Sequence, residues 1–307
     1  MPEGDTIFRS ARALNLALAG KVIARFETGY ANLARVDDDQ IVAGRIVERV
    51  EAHGKWLLMF LSGDLILITH MLMNGAWHIY RTGERWRRRR QEMRIVIETA
   101  DWIAVAFTVP IAEFHSAATL LRKKILTELG PDLLKENFDT ESAIARMEEW
   151  PMEEIAVVLL NQRVMAGIGN VFKSEICFAC GVHPFRLVKT LQQRELEELV
   201  YIAKKYLKAN VASGPEGNIV TYTGMRRTTG SSDRTARLWV YGRMGEPCRR
   251  CGAAIHMRKQ GIEARTTFWC PYCQPMHMNA ESSGKPETQA DVIEGWSHVS
   301  RHFRSVC

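Results

Sequence analysis

Four cysteines, Cys248, Cys251, Cys270 and Cys273, fall as two C-x-x-C pairs separated by 18 residues. Thiolates at this spacing close a tetrahedron around a soft divalent metal, and a segment too short for its own core takes its folding free energy from that metal. Zn²⁺ is the expected ion, with iron in a four-cysteine site the chemical alternative. Sulfur fills every coordination position, so the metal is structural and not catalytic. Between the pairs runs HMRKQGIEARTTFW, which reads as a basic β-hairpin with Arg265 near its tip or on its return strand. Cys177 and Cys180 form another C-x-x-C, but only Cys307 remains to complete a site, and their stretch is apolar and helical; they read as buried free thiols.

The opening MPEGDT sets an imino acid, Pro2, beside a carboxylate, Glu3, where most chains fray. An α-amino group with a pKa of about 7.8 is about 14% neutral at pH 7, against about 0.04% for an ordinary lysine. A terminal amine at Pro2 therefore offers far more nucleophile than a lysine would. A third stretch, LLNQRVMAGIGNVFKSE (Leu159 to Glu175), reads as a helix ending near Ala166, a tight turn through Gly167 and Gly169, and a second helix capped by Asn170. Backbone N–H groups at that helix start, with the Asn170 amide beside them, suit a phosphate; an ordinary helical hairpin has the same spacing.

These residues need a scaffold. The 307 residues are 46% hydrophobic and 25% charged, enough for more than one core. A helix is expected over Thr6 to Leu18, with apolar Ile7, Ala11, Leu14 and Leu18 on one face. Strands follow at Lys21 to Phe26, Ile46 to Ala52, Lys55 to Leu61, Leu65 to His70, Trp77 to Arg81, Met93 to Thr99 and Trp102 to Phe107, with a hairpin turn at Ser62-Gly63-Asp64. From Leu120 to Asn210 the period is helical: Ile155 to Met165 continues as one helix, Arg194 to Lys208 forms another, and Gly130-Pro131 marks a hinge. Ser213 to Arg237 is looser, and the tail from Met276 is not assigned structure.

The net charge is +6, which suits a polyanionic partner. Placement matters more than the sum: Arg81 to Arg94 carries seven arginines against Glu84 and Glu92, and Tyr241 to Cys273 carries six basic residues against Glu246 and Glu263. No apolar run reaches the ~20 residues of a membrane span, and Glu3, Asp5 and Arg9 stand where a signal peptide is apolar. A cytoplasmic protein is expected, with no membrane association.

Taken in order, PEG, HGKWLL (His53 to Leu58), HMLMNG (His70 to Gly75), the Leu159 to Glu175 stretch and VYGRMGEPCRRCG…ARTTFWCPYCQ (Val240 to Gln274) resemble the formamidopyrimidine-DNA glycosylase and endonuclease VIII family of base-excision repair enzymes. The resemblance runs from Pro2 to Gln274. It implies an α+β protein: an N-terminal β-sandwich with one helix (residues 1–122, catalytic), a helix-two-turns-helix DNA-binding domain (123–240), a four-cysteine zinc-finger hairpin (241–275) and a flexible tail (276–307). It further implies a monomer acting on damaged double-stranded DNA, with single-stranded DNA left open.

The resemblance also assigns roles. Loss of Met1 would leave the Pro2 amine as the nucleophile, with Glu3 moving protons. Lys55, Asn170 and Arg265 would grip phosphates around the extruded nucleotide, and Met73 would fill the void left in the duplex. His70 and Glu175 are weaker carry-overs that a structural role also explains. Where the purine-repair branch carries an arginine-rich DPRRFG stretch, this chain has AFTVPIAEF (Ala106 to Phe114), and it has Asp5 and Thr6 where that branch has Pro-Glu. These departures favour the endonuclease VIII side and oxidised pyrimidines. The Arg85 to Arg90 run matches no role in the family. The alternative reading is a zinc-ribbon nucleic-acid-binding protein without catalysis, which would leave Pro2, Glu3 and Lys55 without a purpose.

Overall fold

The first helix, α1 (Gly4–Leu18), starts two residues before the expected Thr6 and buries Ile7, Ala11, Leu14 and Leu18. Asp5 and Arg9, one turn apart, go into the interior together as an ion pair of 3.1 Å. The structure is a computed structural model that describes residues 2–212, 227–229 and 236–276, which lie within one compact unit. The looser Ser213 to Arg237 stretch falls mostly outside the described residues, as do Cys307 and the tail beyond Met276.

After α1 come β1 (Arg25–Thr28), α2 (Ala31–Gln40), β2 (Val47–His53), β3 (Trp56–Leu61), β4 (Leu65–His70), β5 (Ala76–Arg81), β6 (Met93–Glu98), β7 (Trp102–Phe107) and β8 (Ile111–His115). They form two antiparallel four-stranded sheets, ordered β1-β6-β7-β5 and β2-β3-β4-β8. Leu57, Met59, Leu65 and Leu67 from one sheet meet Trp77, Ile79, Ile95 and Ile97 from the other, with α1 closing the edge of this core. The sandwich is thus as expected, though the single helix is joined by α2, whose only buried residue is Leu33. With only Leu33 and the partly buried Val36 packed on the core, the helix offers too short an apolar stripe to read. The strand expected from Lys21 begins only at Arg25; Val22 makes one isolated bridge to Ile46.

Strand β3 is apolar at every position because both of its faces are covered. Leu57 and Met59 face the sandwich, while Trp56 and Leu58 join Ile66, Ile68 and Leu126 on the outside. Leu126 comes from α4 (Lys124–Thr127), which follows α3 (Ala117–Leu120) in the connection to the helical part.

The helical part comprises α5 (Thr140–Glu148), α6 (Ile155–Leu160), α7 (Asn170–Ala179) and α8 (Gln193–Ala212), packed around Leu159, Phe172, Ile176, Leu199 and Ala203. At Gly130-Pro131, where a hinge is expected, Gly130 N donates to the Gln162 carbonyl at 2.9 Å and Ala166 N to the Pro131 carbonyl at 2.9 Å. A Cβ at Gly130 would stand 2.4 Å from the Val164 carbonyl oxygen. The last pair, β9 (His256–Gln260) and β10 (Arg265–Trp269), forms the hairpin, with Arg265 opening the return strand opposite Gln260. Its core of Val240, Ile255 and Phe268 is shared with Phe178 of α7.

Candidate active site

Three segments distant in sequence converge on the loop between α6 and α7. The helix expected to run to Met165 stops at Leu160, and residues 161–169 form an irregular connection. Gln162 explains how that connection survives burial: its amide donates to the Leu160 and Ile168 carbonyls at 2.8 and 3.0 Å and accepts from Gly167 N at 3.1 Å. Side-chain bonds of this kind replace the helical ladder where the chain turns.

The N-terminus docks on this loop. Gly4 N donates to the Gly167 carbonyl at 2.9 Å. Glu3 is fully buried, and its carboxylate accepts from the backbone N–H groups of Gly169 (3.0 Å), Val171 (2.8 Å) and Phe172 (3.3 Å). These donors lie at the start of α7, where N–H groups lack intrahelical partners and the helix dipole favours an anion. A carboxylate 167 residues away in sequence therefore does the capping expected of Asn170. The fit depends on glycine: a Cβ at Gly169 would lie 2.3 Å from the Glu3 carboxylate carbon, and one at Gly4 2.7 Å from the Gly167 Cα. Pro2, half-buried, is held immediately before this docked residue.

The HGK turn meets the same loop from the other side. Gly54, at φ +58°, donates its N–H to the Asp132 carboxylate at 2.8 Å, and its Cα faces the Ala166 methyl. Lys55 follows it at the head of β3, half-buried. Across the β3–β4 pair, His70 stands opposite Trp56, ring edge to face at 4.9 Å, and its Nδ1 accepts from Leu72 N at 3.1 Å. Burial, and then the Lys55 charge, push the His70 pKa down to about 4, so its imidazole is neutral at pH 7.

Asn170 is the first residue of α7, 5% exposed, with its side chain turned from the helix end toward the hairpin. Its amide nitrogen lies 3.2 Å from Thr266 Oγ1 and 3.5 Å from the Tyr241 hydroxyl, while Oδ1 has no partner among the described residues. Next to Thr266, Arg265 pairs with Glu263 at 2.7 Å and points a guanidinium nitrogen at Met73 Sδ, 4.0 Å away. Met73 is 53% exposed on the β4–β5 loop. The expected residues thus gather around one loop: Glu3 bonds the start of α7, whose first residue Asn170 reaches Thr266, and Arg265 beside Thr266 meets Met73, while Lys55 adjoins the Gly54 that packs on Ala166.

Glu175 serves structure. Its fully buried carboxylate accepts from the N–H groups of Trp239 (2.8 Å), Val240 (2.9 Å) and Tyr241 (2.8 Å) and from the Thr228 hydroxyl, fastening α7 to the lead-in of the cysteine hairpin. Burial raises its pKa against the lowering by those bonds. Lys173, one turn beyond Asn170, escaped the sequence reading because a lysine within a helix normally faces water. It is 1% exposed, and burial, then Arg265, lower its pKa to about 8.

The four hairpin cysteines gather at the far end of β10. Their sulfur atoms all lie within 4.8 Å of one another, with Cys248 to Cys273 at 3.9 Å and Cys251 to Cys270 at 3.5 Å. A tetrahedron with metal–sulfur bonds of about 2.3 Å has sulfur–sulfur edges of about 3.8 Å, so the cluster fits one metal ion. Cys177 and Cys180 stand apart from it as free thiols, and burial pushes the Cys177 thiol up to about 12.

A sandwich, a helical unit entered through a glycine loop and a four-cysteine hairpin define a fold that is also seen in solved structures. The formamidopyrimidine-DNA glycosylase of Lactococcus lactis, crystallised with DNA containing an oxidised pyrimidine, superposes with a TM-score of 0.74 over 89% of this chain and 100% of that one, at 23% identity. The formamidopyrimidine-DNA glycosylase N-terminal domain matches residues 1–110, and the H2TH domain of the same enzymes matches residues 129–221. The DNA-(apurinic or apyrimidinic site) lyase Nei2 of Mycolicibacterium smegmatis is 38% identical over 89% of this chain and 99% of its own length. Endonuclease 8 2 of Mycobacterium tuberculosis is 35% identical over 89% of this chain and its whole length. The chain belongs to the formamidopyrimidine-DNA glycosylase and endonuclease VIII family.

Proposed function

We propose that this chain is a bifunctional DNA glycosylase and AP lyase of base-excision repair that removes oxidised bases, with pyrimidines preferred, from damaged duplex DNA. The observation that carries the reading is the buried Glu3 carboxylate clamped by three N–H groups at the start of α7, which fills the helix end where a phosphate was expected and holds Pro2 at a fixed place beside it. With Met1 removed, the secondary amine of Pro2 attacks C1′ of an extruded nucleotide. The C1′–N bond to the base breaks, Glu3 relays a proton to the ring oxygen, and the ring opens to an iminium ion. The iminium acidifies C2′; loss of that proton expels the 3′ phosphate, and a second elimination expels the 5′ phosphate.

Lys55, Asn170 and Arg265 position the strand through its phosphates. Asn170 is suited to this because both of its neighbours are hydroxyls, which donate as readily as they accept. Turning the amide over lets Thr266 or Tyr241 satisfy Oδ1 and frees the amide N–H for a phosphate. Met73, exposed at a loop tip and touching Arg265, is the group that enters the stack when a base leaves it. In this reading residues 1–122 carry the chemistry, 123–240 grip DNA, 241–275 form the zinc finger, and the protein acts as a cytoplasmic monomer at the nucleoid. No helix among the described residues is long and apolar enough to cross a membrane. The three-residue turn Thr108 to Pro110 between β7 and β8 carries no arginine, which supports the pyrimidine preference.

A panel of duplexes, each with one lesion, tests the reading. Release of oxidised pyrimidines with strand cleavage at the vacated site is the expected result. DNA binding with neither base release nor cleavage of an abasic site would leave only the zinc-ribbon binder. The metal has its own test: purified protein is expected to hold one zinc per chain, and Cys270→Ser to lose zinc and DNA binding together, because the metal's binding free energy folds the hairpin. Full DNA binding by metal-free protein would refute it.

A further inference from the structure

The arginine run between β5 and β6 is built as an ordered arm. Over Arg85, Trp86, Arg87, Arg88 and Arg89 exposure alternates, out at the odd positions and in at the even ones. Trp86 stacks on Tyr80 at 6.4 Å and meets Phe107 edge-on at 5.7 Å. The Tyr80 hydroxyl accepts from Arg87 N at 3.0 Å and bonds His78 at 2.9 Å. A merely solvated charged loop needs no such anchor.

The inward arginine shows where the arm points. Arg88 donates to Thr108 Oγ1 at 3.0 Å and to the Asn74 carbonyl at 3.4 Å, and Thr108 Oγ1 itself donates to that carbonyl at 2.8 Å. Asn74 directly follows Met73, so the arm is tied to the loop that carries it. Both tied loops hold a non-glycine residue in the left-handed region, Leu72 at φ +45° and Thr108 at φ +46°. Such conformations persist where surrounding contacts enforce them. Arg88 is balanced by Glu92 at 3.7 Å and Arg90 by Glu27 at 2.9 Å. Arg85, Arg87 and Arg89 enter no ion pair among the described residues, so three exposed cations stand beside the Met73 loop with their charge unspent.

We propose that residues 85–89 form a second DNA-binding surface, in which Arg85, Arg87 and Arg89 contact phosphates beyond the Met73 position while Trp86 and Arg88 hold the arm in register. The proposal rests on the reading that Met73 enters the duplex. It extends the footprint past the phosphates held by Lys55, Asn170 and Arg265, and the arm touches no reacting atom.

The test is the salt dependence of binding to a duplex with a tetrahydrofuran abasic analogue, which cannot form a Schiff base. Each phosphate contact adds about 0.9 to the slope of log K against log salt, so R85A/R87A/R89A is expected to lower the slope by about 2.7 units. R85K/R87K/R89K is expected to retain it, and R87A alone to lower it by about one unit. Unchanged slopes in both alanine variants, with wild-type melting behaviour, would overturn the proposal; so would a loss of slope in the lysine variant equal to that in the alanine one. Cleavage of natural abasic sites by wild-type protein is read in parallel. Its absence would defeat the proposed activity while leaving the slope measurement intact.

Discussion

Borohydride added during reaction on abasic-site DNA is expected to trap the protein covalently, with the adduct on Pro2 as the first residue, and protein that retains Met1 or carries a tag ahead of it is expected to trap nothing. The effect is complete because an acylated proline nitrogen has no lone pair to donate to C1′. Amine basicity alone does not single out Pro2. Lys173 has its pKa lowered to about 8, which leaves about 10% of it neutral at pH 7, close to the fraction expected of a terminal amine. Access separates the two. Lys173 is 1% exposed inside the α7 packing, whereas Pro2 is half-buried at the docked end of the chain. Mass spectrometry that placed the adduct on Lys173 or Lys55, with Pro2 unmodified, would overturn the assignment.

Glu3→Gln is expected to slow base removal by the ~10²- to 10⁴-fold typical of general acid–base catalysis, and to slow cleavage of a preformed abasic site much less, since that sugar already opens spontaneously. A second effect comes from the docking. All three N–H donors point at the carboxylate oxygens, and an amide there turns one acceptor into a donor facing another donor. Hydrogen bonds to a charged group are worth about 1.5–3 kcal/mol each, so the variant should also melt lower. The two contributions separate in the ratio of the two activities: proton relay lowers the first alone, whereas a displaced Pro2 lowers both equally. An equal loss of both would make Glu3 a positioning residue with no part in proton transfer.

Much of this was legible in the residues. Cysteine spacing alone specifies the four-cysteine cluster, because two C-x-x-C pairs bring their own local geometry and need only a hairpin to meet. The apolar stripe of α1 and the runs of β3, β4 and β7 report burial directly, since side-chain period follows backbone geometry. Pro2 beside Glu3 stands out by residue type, and the amine chemistry proposed for it follows from that type.

What the tertiary structure decided is how these groups meet. Asn170 reads as an N-cap by residue type, yet the cap is Glu3, because a helix N-terminus accepts any carboxylate that the fold delivers and sequence carries no sign of a partner 167 residues away. The helix expected through Met165 ends at Leu160 because Gln162 and the Pro131 carbonyl offer its backbone other partners, and that ending frees the loop for Gly4 and Gly54 to pack against. Lys173 reads as a surface lysine until burial is known. The arginine run matches no family role in sequence, and only the fold shows Trp86, Tyr80 and Phe107 anchoring it and Arg88 tying it to the Met73 loop. Local propensity senses neighbours within a few residues, while burial and hydrogen-bond partners at these positions are set by segments that only the folded chain brings together.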